Sequence, residues 1–258
     1  MKWLVSISFF LLPLKSIGCD CVTTTLINHF QYSEFVATAK IVKIQPNKQN
    51  EDYHDIEIEI INLYKGKFIT SLQIQSVQRS SCAFYTPAGS TWLIFASRDN
   101  NGFLSFGACS GSLQMDRQFD TILYPGLDKK YAASIALKLD ALAFLKKYES
   151  ITSNQYHLNL SLSQSSLDSL KGFNTNNRFA VYEVKISKKL TVAGIKTLTG
   201  FDNREMSVKL LACLRKNLLV QPKDKKLKTI PKATSLILIY YYYPAEAGYP
   251  GFITTYDL

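Results

Sequence analysis

Histidine is scarce in this chain of 258 residues, which holds three, His29, His54 and His157, far apart in sequence. None belongs to a helical metal-binding pair, so surface or partly buried imidazoles are expected rather than ligands. Glycine is sparse too, with twelve residues and no run that resembles a nucleotide-phosphate loop. Ser110-Gly111-Ser112 lacks the flanking glycine of a nucleophile elbow. Glu57 and Glu59 lie on one face of an alternating segment and are expected to face water. No catalytic residue, intrinsic metal or cofactor is therefore expected. Acidic residues are outnumbered, 20 against 30 basic, for a formal charge of +10. The densest basic stretch, Lys223, Lys225, Lys226 and Lys228, has no arginine or aromatic residue interleaved. It reads as a solvated loop, and no nucleic-acid partner is expected. Long apolar runs are missing after the first residues. Residues 236–243 (LILIYYYY) have the length of a strand, well short of the about 20 residues of a membrane helix.

What the sequence does have is a hydrophobic leader with cysteine directly behind it. Lys2 precedes an apolar stretch at 3–14 (WLVSISFFLLPL), and Ser16-Ile17-Gly18 supplies small residues for a peptidase. Residues 1–18 are expected to be an export signal, and the remainder a secreted or periplasmic protein. Cys19, Cys21, Cys82 and Cys109 fall in the first half of the chain, and Cys213 stands alone. In an oxidising compartment four such cysteines imply two disulfides, with three connectivities open. Three roles compete for Cys19: a lipid anchor, half of a disulfide, or the working end of the mature chain. The Gly18-Cys19 junction is that of a lipoprotein signal without its usual leucine. Acylation would make the protein an outer-membrane lipoprotein, and only then is a membrane attachment expected. The spacing Cys19-Asp20-Cys21 is too tight for a zinc knuckle, and no second pair follows.

Segments 34–44 (EFVATAKIVKI), 56–60, 72–77, 92–96 (WLIFA) and 103–108 have strand patterning, with turn signals at Gly66, Gly89 and the Asp99–Gly102 stretch. Five short strands with cysteines near their ends predict a small closed sheet or barrel. Over 131–148 the period changes, with Ile135, Leu139, Leu142 and Leu145 at helical spacing. Residues 150–177, rich in Ser, Asn and Gln, read as a linker region with a short strand (156–162) and a short helix (166–171). Beyond it, strands are predicted at 179–186, 190–198 and 236–243. A helix follows Asp202 and Glu205, which have capping-box spacing, and carries Met206, Leu210, Leu214 and Leu218 on one face. Cys213 is expected to be a buried structural thiol, and residues 240–243 to place two tyrosines in the core and two outside. The expected fold is a mainly β N-terminal domain (19–149) followed by a small α+β domain (178–258).

These residues carry a family resemblance. Cys19-Asp20-Cys21, Ser33-Glu34-Phe35-Val36, Ala39-Lys40-Ile41-Val42, the 60–66 stretch IINLYKG, Cys82, the 89–96 stretch GSTWLIFA and Ala108-Cys109-Ser110 occur in an order that resembles the tissue inhibitors of metalloproteinases. The resemblance covers residues 19–115. It implies a netrin-like, five-stranded OB-type barrel with a helix, and the pairings Cys19 to Cys82 and Cys21 to Cys109. In that family the α-amine and carbonyl of the first cysteine chelate the zinc of a target protease, and the next side chain enters its specificity pocket. The resemblance therefore gives those roles to Cys19 and Asp20. The family has a small hydroxyl residue at the second position, so Asp20 implies a protease with a basic pocket. The family's third bridge in this domain has no counterpart, since 26–32 reads LINHFQY.

The order of 179–186, the helix after Asp202 and LILIYYYY is similar to the C-terminal domain of TonB-like proteins, over residues 178–245. That likeness implies a periplasmic protein-binding module. Two functions are thus expected in competition. One is inhibition of a zinc metalloprotease through Cys19. The other is a non-inhibitory envelope or adhesion module that binds other envelope proteins through its C-terminal domain.

Overall fold

The computed structural model describes residues 21, 24–77, 80–99, 102–148 and 153–257. The first half runs α1 (Leu26–Tyr32), β1 (Phe35–Pro46), β2 (Tyr53–Lys65), β3 (Ser71–Gln75), β4 (Thr91–Arg98), β5 (Leu104–Gly107) and β6 (Leu113–Gln114), then α2 (Leu127–Lys146). The second half contains β7 (Leu158–Ser161), a 3-10 turn (Gln164–Leu170), β8 (Phe179–Ile186), β9 (Val192–Thr199) and α3 (Arg204–Asn217). It closes with β10 (Leu219–Pro222), β11 (Thr234–Tyr243) and β12 (Phe252–Thr254).

Strand β1 pairs with both β2 and β4, so the order β1-β2-β3-β5-β4 closes on itself. β3 and β5 run parallel, and the other neighbours antiparallel. This is the closed five-stranded barrel that the strand pattern predicts, of the OB type with a helix that the resemblance implies. Three register shifts in the long β1–β2 ladder supply the bends that closing so small a sheet requires. The hairpin expected at Asp99 is present: Phe103 N donates to Asp99 Oδ1 at 2.9 Å, and Gly102 N to Asp99 O at 3.0 Å.

The strand period of two sorts side chains between layers. From β1 and β4, Phe35, Ala37, Ala39, Trp92, Ile94 and Ala96 fill the barrel. Val36, Leu93 and Phe95 point the other way, into a layer with Leu137, Leu142 and Leu145 of α2. The uninterrupted apolar run WLIFA is therefore a strand buried on both faces.

The same logic governs the second sheet, ordered β12-β11-β8-β9. Leu236, Leu238, Tyr240 and Tyr242 of β11 pack with Met206, Leu210 and Leu214 of α3. Ile237, Ile239 and Tyr241 pack on the α2 side, in the layer shared with the barrel. This corrects the expected two-in, two-out tyrosines. Tyr240, Tyr241 and Tyr242 are all buried, because α3 covers one face of the sheet while α2 and the barrel cover the other.

The start of α3 is also corrected. Its N-cap is Asn203, whose side chain accepts from Met206 N at 3.0 Å. Asp202 instead accepts from Thr175 and from Asn176 N and Nδ2, which holds its carboxyl down to about 2. Cys213 is half-buried rather than buried, free of any disulfide, and its thiol donates to Ser166 O at 3.1 Å.

Candidate functional site

Two loops at one end of the barrel carry the half-cystines. Cys109 follows β5 in a turn in which Ser110 N and Oγ both donate to Gly107 O, at 3.0 and 2.8 Å. Cys21 is bonded to Cys109 across 88 residues of sequence, with Cα atoms 5.2 Å apart. Cys82 lies in the β3–β4 loop and is also disulfide-bonded. Cys19 and Asp20 lie outside the described residues, so the expected Cys19–Cys82 pairing does too.

The β3–β4 loop is held by short-range polar contacts and one aromatic anchor. Ser80 Oγ donates to Val77 O at 2.7 Å and accepts from Cys82 N at 3.0 Å. Phe84 packs edge-on against Trp92 and Phe106 at the barrel mouth, with centroids 5.3 and 5.9 Å away. Tyr85, the next residue, is 77 % exposed. A cavity of about 420 Å³ lies between the loops, lined by Cys82 and Cys109 together with Arg98, Asp99, Ser105 and Ser110. The structure thus brings together two of the cysteines that the resemblance singles out, 27 residues apart in number, at one opening.

Behind this opening is a polar cluster that the sequence does not announce. His29 of α1 lies with its ring against Gly111, where an added Cβ would come 2.6 Å from imidazole atoms. Gly111 also has φ +81°, so both the approach and the conformation require glycine there. Thr24 Oγ1 is 2.6 Å from His29 Nε2, and the Phe95 ring lies 5.6 Å away, tilted by 44°. Burial pushes the imidazole pKa down, opposed by the Asp257 charge and a hydrogen bond to the Ser110 backbone. Asp257 reaches in from the far end of the chain. Its Oδ1 accepts from Leu26 N at 3.2 Å, the first residue of α1. Its Oδ2 pairs with Lys138 of α2 at 3.2 Å, the two side chains being 13 % and 10 % exposed. Lys138 Nζ also donates to Asp257 O and Ser134 Oγ, so this buried cation is well partnered. Residues 26 and 257 are far apart in sequence, and no local pattern signals their contact.

His54 is half-buried in β2, and His157 is exposed and stacked on Tyr32 at 5.9 Å. Among the described residues no three His, Cys, Asp or Glu side chains gather in a way that would hold a metal ion. Glu57 and Glu59 both face solvent, Glu57 paired with Lys43 at 3.1 Å. No helix among the described residues is long and apolar enough to cross a membrane. In comparisons with known proteins, no family model matches the chain and no curated protein matches it significantly.

Proposed function

We propose that this is an exported inhibitor-like protein whose mature first residue, Cys19, presents its α-amine and carbonyl to the catalytic zinc of a metalloprotease. A neutral amine and a carbonyl oxygen are competent to replace the zinc-bound water of such an enzyme. Asp20 then enters the specificity pocket. The observation that carries the reading is the pair of half-cystines, Cys82 and Cys109, lining one opening at the end of an OB-type barrel, with the N-terminal segment tied there through Cys21. Tethering a chelating terminus to a rigid barrel lowers the entropy lost on binding. An unpaired carboxylate buried in an apolar pocket would cost several kcal/mol, so Asp20 selects proteases with a basic pocket.

The test begins with mass spectrometry of the exported protein, non-reduced and then reduced. A free Cys19 amine and a Cys19–Cys82 link are expected, followed by inhibition in a metalloprotease panel. Asp20→Ser should strengthen inhibition of members with apolar pockets, and one residue added before Cys19 should abolish it. An acylated or otherwise blocked Cys19 amine would end the reading.

A second reading, an envelope module that binds other proteins, has one observation in its favour, and it lies in the N-terminal half rather than in the C-terminal domain that the resemblance to TonB-like proteins points to. Ile122, Leu123 and Tyr124 are 90, 69 and 56 % exposed in a loop held by Asp120, whose Oδ1 accepts from Ile122 N and Leu123 N. A held loop that shows three apolar side chains to solvent has the character of a contact surface. Replacing all three by serine leaves protease inhibition intact on the first reading and removes partner binding on the second.

A further inference from the structure

A larger cavity, of about 610 Å³, opens between α2 and the segment joining β11 to β12. Among the described residues no cysteine lines it. Its walls are apolar and come from both sides: Leu127 and Leu137 from the helix, Tyr243, Pro244 and Phe252 from the strands and their connection. Across its mouth Lys130 of α2 meets Glu246 at 3.1 Å. Both side chains are about two-thirds exposed, 70 and 67 %, so the pair contributes little to stability and opens readily.

Arg178, immediately before β8, is the remaining charged residue of the lining. It is held in place by Tyr242 twice over. Its carbonyl accepts from Tyr242 N at 2.8 Å, and its Nε donates to Tyr242 O at 3.1 Å. Among the described residues the two terminal amino groups of this guanidinium have no acceptor, and no carboxylate pairs with it. Glu246 is already matched by Lys130, so the cavity keeps one uncompensated, positioned cation beside an apolar interior.

We infer that this cavity is a binding site for a small amphipathic carboxylate, its apolar body between α2 and the β11–β12 connection and its carboxylate on the terminal amino groups of Arg178. The volume lies within the roughly 300–1,000 Å³ of small-molecule pockets, which are mostly apolar with a few fixed polar groups. A guanidinium whose Nε is spent still offers two parallel donors, the fork that matches a carboxylate. The inference concerns a site distinct from the cysteine-lined opening and stands whether or not Cys19 inhibits a protease.

Calorimetric titration of the full mature chain with decanoate and with 1-decanol tests it. Decanoate is expected to bind one to one, about tenfold or more tighter than decanol, the advantage of a hydrogen bond to a charged group. Arg178→Gln should bring decanoate to the level of decanol and leave decanol unchanged. Ala133→Trp, at an exposed helix position on the cavity wall, should abolish binding of both without touching Arg178. Three results overturn the inference: neither compound binds; the two bind equally and Arg178→Gln changes neither; or the chain dimerises in solution with the Ile122–Tyr124 loop of a second copy closing the cavity.

Discussion

At the scale of single residues, burial sets the ionisation of His29 and of three tyrosines, and the consequences differ in sign. Desolvation holds the His29 pKa below its ordinary 6.5, so the fold prefers the neutral imidazole. The unfolded chain takes up the proton first as pH falls, and stability drops as pH falls below about 6.5, down through the lower folded value. The urea midpoint should therefore be lower at pH 5 than at pH 7.5, and His29→Gln should shrink that difference. If the variant shows the same pH dependence as the parent, the acid sensitivity belongs to other groups.

Tyr182, Tyr240 and Tyr241 bury hydroxyls that meet no protein partner among the described residues. Burial pushes Tyr182 up to about 12 and raises the other two as well. An unpaired buried hydroxyl is a cost that phenylalanine lacks. Tyr241→Phe should accordingly stabilise the protein by about 1 kcal/mol. Tyr242→Phe should destabilise it by about the same amount, because the Tyr242 hydroxyl donates to Asn174 Oδ1 at 3.1 Å. Equal effects at the two positions in chemical denaturation would contradict this contrast.

At the scale of elements, the strands legible in the sequence are those whose own side chains bury a face. Residues 179–186 are predicted and observed with the same bounds, because FAVYEVKI is rich in β-favouring residues and alternates over its second half, while Ala180, Val181 and Tyr182 are buried on both faces. The elements not legible are short and depend on distant partners. β6 and β12, of two and three residues, exist by pairing with β4 and β11. α1 has seven residues and no side-chain cap of its own, too few turns to hold alone in water. Its first N–H is satisfied by Asp257, and Leu26, Ile27 and Phe30 are buried beneath it. The Asp257–Lys138 pair therefore joins both helices to the last residues of the chain. Removing one partner of a buried pair costs more than the pair itself contributes. Asp257→Asn should lower unfolding stability by about 3 kcal/mol, with Lys138→Met/Asp257→Asn costing less than the sum of the single changes. Additive losses in urea unfolding would mean that the two side chains are not coupled.

Over the whole molecule, one apolar layer joins the two halves. Val36, Leu93 and Phe95 of the barrel meet α2, and α2 meets Val181, Ile237, Ile239 and Tyr241 of the second sheet. The disulfide between Cys21 and Cys109 adds a covalent tie across 88 residues, of the kind that contributes roughly 2–4 kcal/mol by restricting the unfolded chain. The roles proposed for Cys19 and Asp20 rest on resemblance. The approach of His29 to the Ser110–Gly111 turn beside Cys109, with the Asp257 charge near that imidazole, comes from the fold alone. The sequence by itself determined the strand and helix inventory of the long elements, the mainly β class, the change of architecture near residue 130 and the cysteines worth watching. These follow from side-chain period and local turn chemistry, which act over a few residues. Tertiary structure alone decided the order and pairing of the barrel strands, the burial of both faces of β11, the docking of Asp257 on α1 and α2, and the cavity beside Arg178. Each of these depends on which surfaces meet across tens to hundreds of residues of chain, from about 50 between β1 and β4 to 231 between Leu26 and Asp257, and no local pattern encodes that meeting.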